Sequence, residues 1–281
     1  MTVPGSPRYR SDGGVFGEGP ALIGHRGLGC GVVWGHRENT LDSFATAAGL
    51  GIAWVEADVR RTSDDVLVVA HDAAYPDGTY LADLRAEEAD RRGSLRLSAL
   101  LEHLPADVGL NVDLKSSIDD SVRRAPCTTA GLLGPVVEVE AARRRLMVSS
   151  FDPGALCRLR RQAPRVPLGW LTWRSFPLEA AVAGCAHMDV DVLGLHVGSL
   201  GWDPATGTVD RTAVSRTLSF VHGSGRQLLV WCPEAQPARV LVEAGTDAVV
   251  VDEVPGILGA LADGAPGRSG RPDPGPVRPG E

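Results

Sequence analysis

The chain has 281 residues, 43% hydrophobic and 22% charged, with a net charge of -7 at neutral pH. That is an ordinary soluble globular composition, large enough for one big domain or two small ones. The acidic balance argues against a nucleic-acid or stable membrane-surface role, and no apolar run approaches the roughly 18 residues of a membrane span.

Residues 1–20 lack periodicity and any apolar core, so they read as a flexible N-terminal arm rather than a signal peptide. Residues 21–25 form a short apolar strand running through His25 into Arg26-Gly27 and a glycine-rich loop. Asn39 or Thr40 can cap a helix in which Leu41, Phe44, Ala45 and Ala48 keep helical spacing, ended by Gly49 to Gly51.

Residues 54–72 read as strand, polar turn, strand. Trp54, Glu56 and Asp58 alternate, so both carboxylates share one face about 6.6 Å apart along the backbone, near enough to share one cation. The turn is Thr62-Ser63-Asp64-Asp65. A hairpin folded at Ser63–Asp64 sets His71 opposite Glu56, and one folded a residue later sets it opposite Asp58. Either register gives a candidate metal site with a proton carrier. A surface strand alternating for solubility would show the same spacing, so the remaining strand ends must decide.

Residues 73–93 mix a Pro76-Asp77-Gly78 turn with a charged helical stretch, and residues 97–104 are a short helix. The third strand, residues 108–115, carries Asn111, Asp113 and Lys115 on one face. Residues 117–144 read as helical segments broken at Pro126 and at Gly131 to Pro135. Further strands follow at 146–151, 166–171, 192–197, 227–231 and 248–252, separated by helices, the last at 254–261. Residues 263–281, rich in Gly, Pro and Arg, read as a disordered tail.

Eight short strands alternating with helices over residues 21–262 predict an α/β fold, a (β/α)₈ TIM barrel. A doubly wound open sheet is the competing arrangement; the strand count and the lack of a dividing linker favour the barrel. Active sites of such barrels lie at the C-terminal strand ends, where His25, Glu56, Asp58, Asp113, Lys115 and Trp231 all fall. Trp231 also suits plain packing at the barrel top, and Asp252 reads as closing the last strand. Among 28 basic residues Lys115 is the single lysine, which suggests a position where guanidinium will not serve.

The carboxylates Glu56, Asp58 and Asp113 are hard oxygen donors, suited to Ca²⁺ or Mg²⁺. A divalent cation beside Arg26 and Lys115 makes an electropositive spot that fits an anionic phosphate ester. His25 and His71 can serve as general base and acid across a phosphorus centre. These residues point to a metal-assisted phosphodiester hydrolase. The five cysteines (Cys30, Cys127, Cys157, Cys185, Cys232) share no metal-type spacing and suggest free thiols in a reducing cytoplasm.

The same residues resemble the glycerophosphodiester phosphodiesterase family. The resemblance rests on His25-Arg26-Gly27, Glu38-Asn39-Thr40-Leu41, Val55-Glu56-Ala57-Asp58-Val59 and Val68-Val-Ala-His71-Asp72. Asn111-Val-Asp-Leu-Lys115, Ser149-Ser-Phe-Asp152, Val230-Trp231, Ala244-Gly-Thr-Asp247 and Val251-Asp252 continue it in order, over residues 21–260. It implies acid–base roles for His25 and His71 and metal ligation by Glu56 and Asp58, with Asp113 as a further acidic ligand. Phosphate contacts fall to Arg26 and Lys115, and Trp231 would line the substrate end. The implied reaction is hydrolysis of small glycerophosphodiesters to glycerol 3-phosphate and an alcohol with one divalent cation, Ca²⁺ or Mg²⁺.

Departures from the family pattern are Asp113 where Glu is common, Cys232-Pro233-Glu234 in place of Thr-Val-Asn, and Arg37 where proline is common. The loop from Gly27 to Glu38 is longer than usual, and the capping insertion is trimmed to about residues 73–96. Two alternatives stand beside this reading. One is a related lyase acting on lysophospholipids through a cyclic phosphate, which would call for an exposed apolar rim that the sequence does not reveal. The other is a non-catalytic phosphodiester-binding barrel, which would have no need of paired proton carriers.

Overall fold

Eight parallel strands deliver the site: β1 (Ala21–Gly24), β2 (Trp54–Arg61), β3 (Gly109–Leu114), β4 (Leu146–Ser150), β5 (Leu168–Thr172), β6 (Val192–His196), β7 (Gln227–Trp231) and β8 (Ala248–Val251). The computed structural model describes residues 14–203 and 205–263. Each barrel strand pairs with its sequence neighbour, and β1 pairs with both β8 and β2, which closes the sheet. The expected (β/α)₈ barrel is the observed fold, and the open sheet is ruled out by that closure. Helices intervene between the strands, among them α1 (Leu41–Gly49) after β1.

Strand periodicity divides the core into two layers. Trp54 lies inside the barrel with Ile23, Met147, Leu171 and Leu229, whereas Val55, Ala57 and Val59 join the layer between strands and helices. Glu56 and Asp58 share the face of Trp54, so they continue the barrel interior upward as its polar end. Parallel pairing with β3 sets Glu56 beside Asn111 and Asp58 beside Asp113.

The hairpin takes neither expected register. Val59 pairs with Val69, Arg60 with Val68 and Arg61 with Leu67, which centres the turn on Asp64. The three-residue loop is closed by Thr62, and Asp65 takes a left-handed φ of 64°, a geometry favoured by hairpin twist. His71 lies two residues past the ladder, which ends at Val69. After it come a short helical turn (Leu81–Asp83), α2 (Ala86–Arg91) and a strand (Leu95–Arg96) that pairs back onto the hairpin.

Two stretches depart from the sequence reading. With α3 at Leu97–His103, the next helix α4 runs unbroken over Thr129–Glu140, through Gly131 and Pro135. Burial of Ala130, Leu133 and Val137 outweighs the amide donor lost at Pro135. Gly131 is there for contact: an added Cβ would sit 2.1 Å from the Ala125 carbonyl oxygen. At the other end, the expected N-terminal arm includes Val15 and Phe16, both buried, and Phe16 packs edge-on against Trp54 at 5.5 Å. Trp54 opens β2, so these two residues plug the N-terminal mouth. The rest of the expected arm, residues 1–13, and the expected tail from 264 onward lie outside the described residues.

Candidate active site

The first residue beyond β1 is His25. The turn after it is tight: Arg26 takes φ 53° and Gly27 φ 98°, and a Cβ at Gly27 would lie 2.6 Å from Ser43 Oγ. Ser43, in the first turn of α1, donates to the Arg26 carbonyl and accepts from the Leu28 amide. Thr40 is the N-cap of α1, which frees Asn39 to donate from Nδ2 to Asp58 Oδ2 at 3.0 Å. The loop is thereby fixed to the helix and to the carboxylate floor at once.

Glu56, Asp58 and Asp113 are all buried, with one oxygen of each within 4.8 Å of the others. Lys115 Nζ lies 3.0 Å from Asp58 Oδ1 and 2.5 Å from Asp113 Oδ2. Arg26 reaches Asp58 through Nε at 3.1 Å and Glu38 through a terminal nitrogen at 2.7 Å, while its backbone amide donates to Glu56 at 2.9 Å. Ser149 donates to Asp113 at 3.4 Å. Burial, then the Asp58 charge, pushes the Glu56 carboxyl up to about 8, and burial also raises Asp113. At Asp58 burial pulls the same way, but Lys115 and Arg26 outweigh it and hold the carboxyl below its usual range.

The triad is therefore short of positive charge. A divalent cation fits that deficit: the donors are all hard oxygens, and Asn111 Oδ1, beside Glu56 in register, is buried without a hydrogen-bond partner among the described residues.

Asp252, the first residue beyond β8, accepts from His25 Nδ1 at 2.5 Å, and Glu56 Oε2 lies 3.8 Å from Nε2. Burial depresses the imidazole's pKa, but Asp252 and Glu56 together raise it above the ordinary value. Asp252 thus does more than close the last strand. Its role was accessible from topology, because β8 neighbours β1 in a closed barrel.

A cavity of about 570 Å³ opens at the C-terminal mouth, lined by His25, Arg26, Glu56, His71, Asp113, Lys115 and Trp231 among others. His71 is half-buried on its wall; its Nδ1 pairs with Asp72 at 2.8 Å, and its carbonyl accepts from Arg60 Nε at 2.8 Å. Asp58, lying deeper, is held by the lining residues. Opposite stand aromatic residues the sequence reading passed over: Phe151 stacks on Trp173 at 4.3 Å and meets Trp231 edge-on at 5.5 Å. Four large apolar side chains are also exposed in segments that follow β1, β3 and β5: Trp34, Ile118, Val122 and Trp173, the last of them lining the cavity. Among the described residues no helix is long and apolar enough to cross a membrane.

Comparison with known proteins agrees with this arrangement. A family model described as the glycerophosphoryl diester phosphodiesterase family matches residues 25–255. The Mycobacterium tuberculosis protein named "Probable glycerophosphodiester phosphodiesterase 2" is 29% identical over 241 residues, spanning 76% of this chain and 81% of that protein. A glycerophosphodiester phosphodiesterase structure from Parabacteroides distasonis superposes with a TM-score of 0.68 at 20% identity, covering 88% of this chain and 98% of its own. An Oleispira antarctica phosphodiesterase, solved with the product sn-glycerol-3-phosphate, gives 0.66 at 23% identity, covering 86% and 97%. The two structures show the shared fold, and the family match adds the activity class. With its barrel closed around such a mouth and its sequence matched from His25 onward, the chain belongs to the glycerophosphoryl diester phosphodiesterase family and is a phosphoric diester hydrolase.

Proposed function

We propose that the chain hydrolyses glycerophosphodiesters to glycerol 3-phosphate and an alcohol, in a reaction that depends on a divalent cation and uses His25 and His71 as proton carriers. The observation that carries this reading is the convergence of two histidines, the single lysine, Glu56 and Asp113 on one cavity, with Asp58 of the same carboxylate cluster just beneath them. The product held by the Oleispira neighbour supports the choice of substrate.

Glu56, Asp58 and Asp113 would hold the cation, Ca²⁺ or Mg²⁺, which when bound supplies charge that polarises a phosphoryl oxygen. The protein's own groups do the rest. Asp252 fixes the proton of His25 on Nδ1, which leaves Nε2 with a lone pair facing the cavity as general base. Lys115, held between Asp58 and Asp113, and Arg26 present fixed positive charge to the phosphate. His71, nearer solvent, is placed to protonate the departing alcohol. Trp231 and its aromatic neighbours wall the substrate end. The five cysteines are all unpaired, which supports a cytoplasmic setting.

The exposed apolar side chains Trp34, Ile118, Val122 and Trp173 favour a second reading, in which lysophospholipids are the substrates and a cyclic phosphate is the product. Phosphorus NMR of products from a panel of glycerophosphodiesters and lysophospholipids separates the two. Glycerol 3-phosphate from the soluble diesters is the expected result. A cyclic phosphate formed from lysophospholipids alone would replace the first reading with the second.

A further inference from the structure

Three consecutive strands of the closed barrel, β7, β8 and β1, each end one residue before a side chain of a type that can ligate a metal: Cys232, Asp252 and His25. An imidazole nitrogen, the thiol sulfur and a carboxylate oxygen from these residues lie within 4.8 Å of one another. All three are half-buried, reachable from the cavity that His25 and Cys232 line. Cys232 leaves the strand with φ 56°, a left-handed turn that sets its position at the strand end.

We infer that His25, Cys232 and Asp252 form a second metal site, for a soft divalent cation of the zinc class, distinct from the oxygen site of Glu56, Asp58 and Asp113. The donor sets argue for the separation. One nitrogen, one sulfur and one oxygen match zinc-type coordination, with three protein ligands and an open fourth position, whereas three carboxylates match Ca²⁺ or Mg²⁺. The strand ends are fixed by the barrel, so the backbone positions of the three ligands are set before the ion arrives.

Binding takes a defined set of protons. Cys232 gives up its thiol proton to solvent, and Asp252 turns from the imidazole to the cation. The ion takes the Nδ1 lone pair of His25, so the ring's one proton moves to Nε2. That nitrogen is the general base of the proposed reaction, so occupancy removes its lone pair and arrests turnover. This consequence rests on the catalytic reading of His25; the binding itself does not.

The test uses the full chain saturated with Mg²⁺ and titrated with Co²⁺ as a spectroscopic substitute for Zn²⁺. A thiolate-to-cobalt charge-transfer band in the near ultraviolet is expected, displaced by Zn²⁺, kept in Cys30→Ser and lost in Cys232→Ser. Affinity for Zn²⁺, measured by competition with a chromophoric chelator, is expected to fall at least about tenfold in Cys232→Ser and in Asp252→Asn. Zn²⁺ is expected to inhibit the parent over the same concentrations that load the site. A band that survives Cys232→Ser, one that vanishes in Cys30→Ser, or no band at all overturns the site. Loading without inhibition overturns the arrest. A parent protein that hydrolyses no diester defeats the catalytic reading instead, and the cobalt band reports the site independently of it.

Discussion

The His25 ring has the Asp252 carboxylate 2.5 Å from one nitrogen and the Glu56 carboxyl 3.8 Å from the other, and their negative charge, when ionised, offsets the cost of its burial. Asp252→Asn removes one of those charges, so the imidazole's pKa falls. The acidic limb of kcat/KM against pH, which marks protonation of the base, is then expected to move to lower pH. With the tautomer no longer fixed, the rate near neutrality should fall about 10²–10⁴-fold; a profile superimposable on the parent's would remove Asp252 from the account. At this scale the sequence was uneven. Glu56, Asp58, Asp113 and Lys115 were legible because strand alternation alone puts them on one face. The His25–Asp252 pair was not, because 227 residues separate its members and only barrel closure joins them. Asn39 was legible as a capping residue and not as a partner of Asp58, since its side-chain direction depends on the turn at Arg26 and Gly27.

Among the elements, α4 shows why local rules failed where they did. Gly and Pro inside a helix argue for a break, and the sequence contains both; the surrounding packing overrides them. Gly131→Ala is expected to destabilise the protein by about 1–3 kcal/mol, because the new methyl group meets the Ala125 carbonyl. Gly259→Ala, in the helix at Val254–Asp263, meets open space and should be neutral or stabilising by up to about 1 kcal/mol. Urea titrations of the two variants measure the contrast, and equal midpoints would refute the packing explanation. The hairpin teaches the same lesson in register. Both expected alignments treated the turn as two residues, whereas Asp65 in a left-handed conformation makes it three.

For the whole molecule, stability is tied to both mouths of the barrel. At the lower mouth, Phe16→Ala should cost about 3–5 kcal/mol in a urea titration. Activity of the folded fraction should be unaffected, since the proposed catalytic groups are at the opposite end; an unchanged midpoint would show that the plug carries no weight. At the upper mouth, Glu56 titrates near 8 when folded and near 4.5 when unfolded. Between those pH values the folded state holds a proton that the unfolded chain has lost, so stability falls as pH rises through the window. Asp113 is shifted the same way. A cation that binds the ionised triad reverses the penalty, so its stabilising effect is expected to grow from pH 5 to pH 8. Melting curves with Mg²⁺ or EDTA at several pH values measure this. A metal effect that is flat across the range would place the cation elsewhere.

In the proposed reaction, His25 and a cation held by the carboxylate triad would together cleave the diester. The rate of glycerol 3-phosphate release from glycerophosphocholine by the parent and by His25→Ala, each with Ca²⁺, Mg²⁺ or EDTA, tests both at once. Release that needs a divalent cation in the parent and falls about 10²–10⁴-fold in the variant is the predicted result. Equal rates in the two proteins, or full activity of the parent in EDTA, would contradict it.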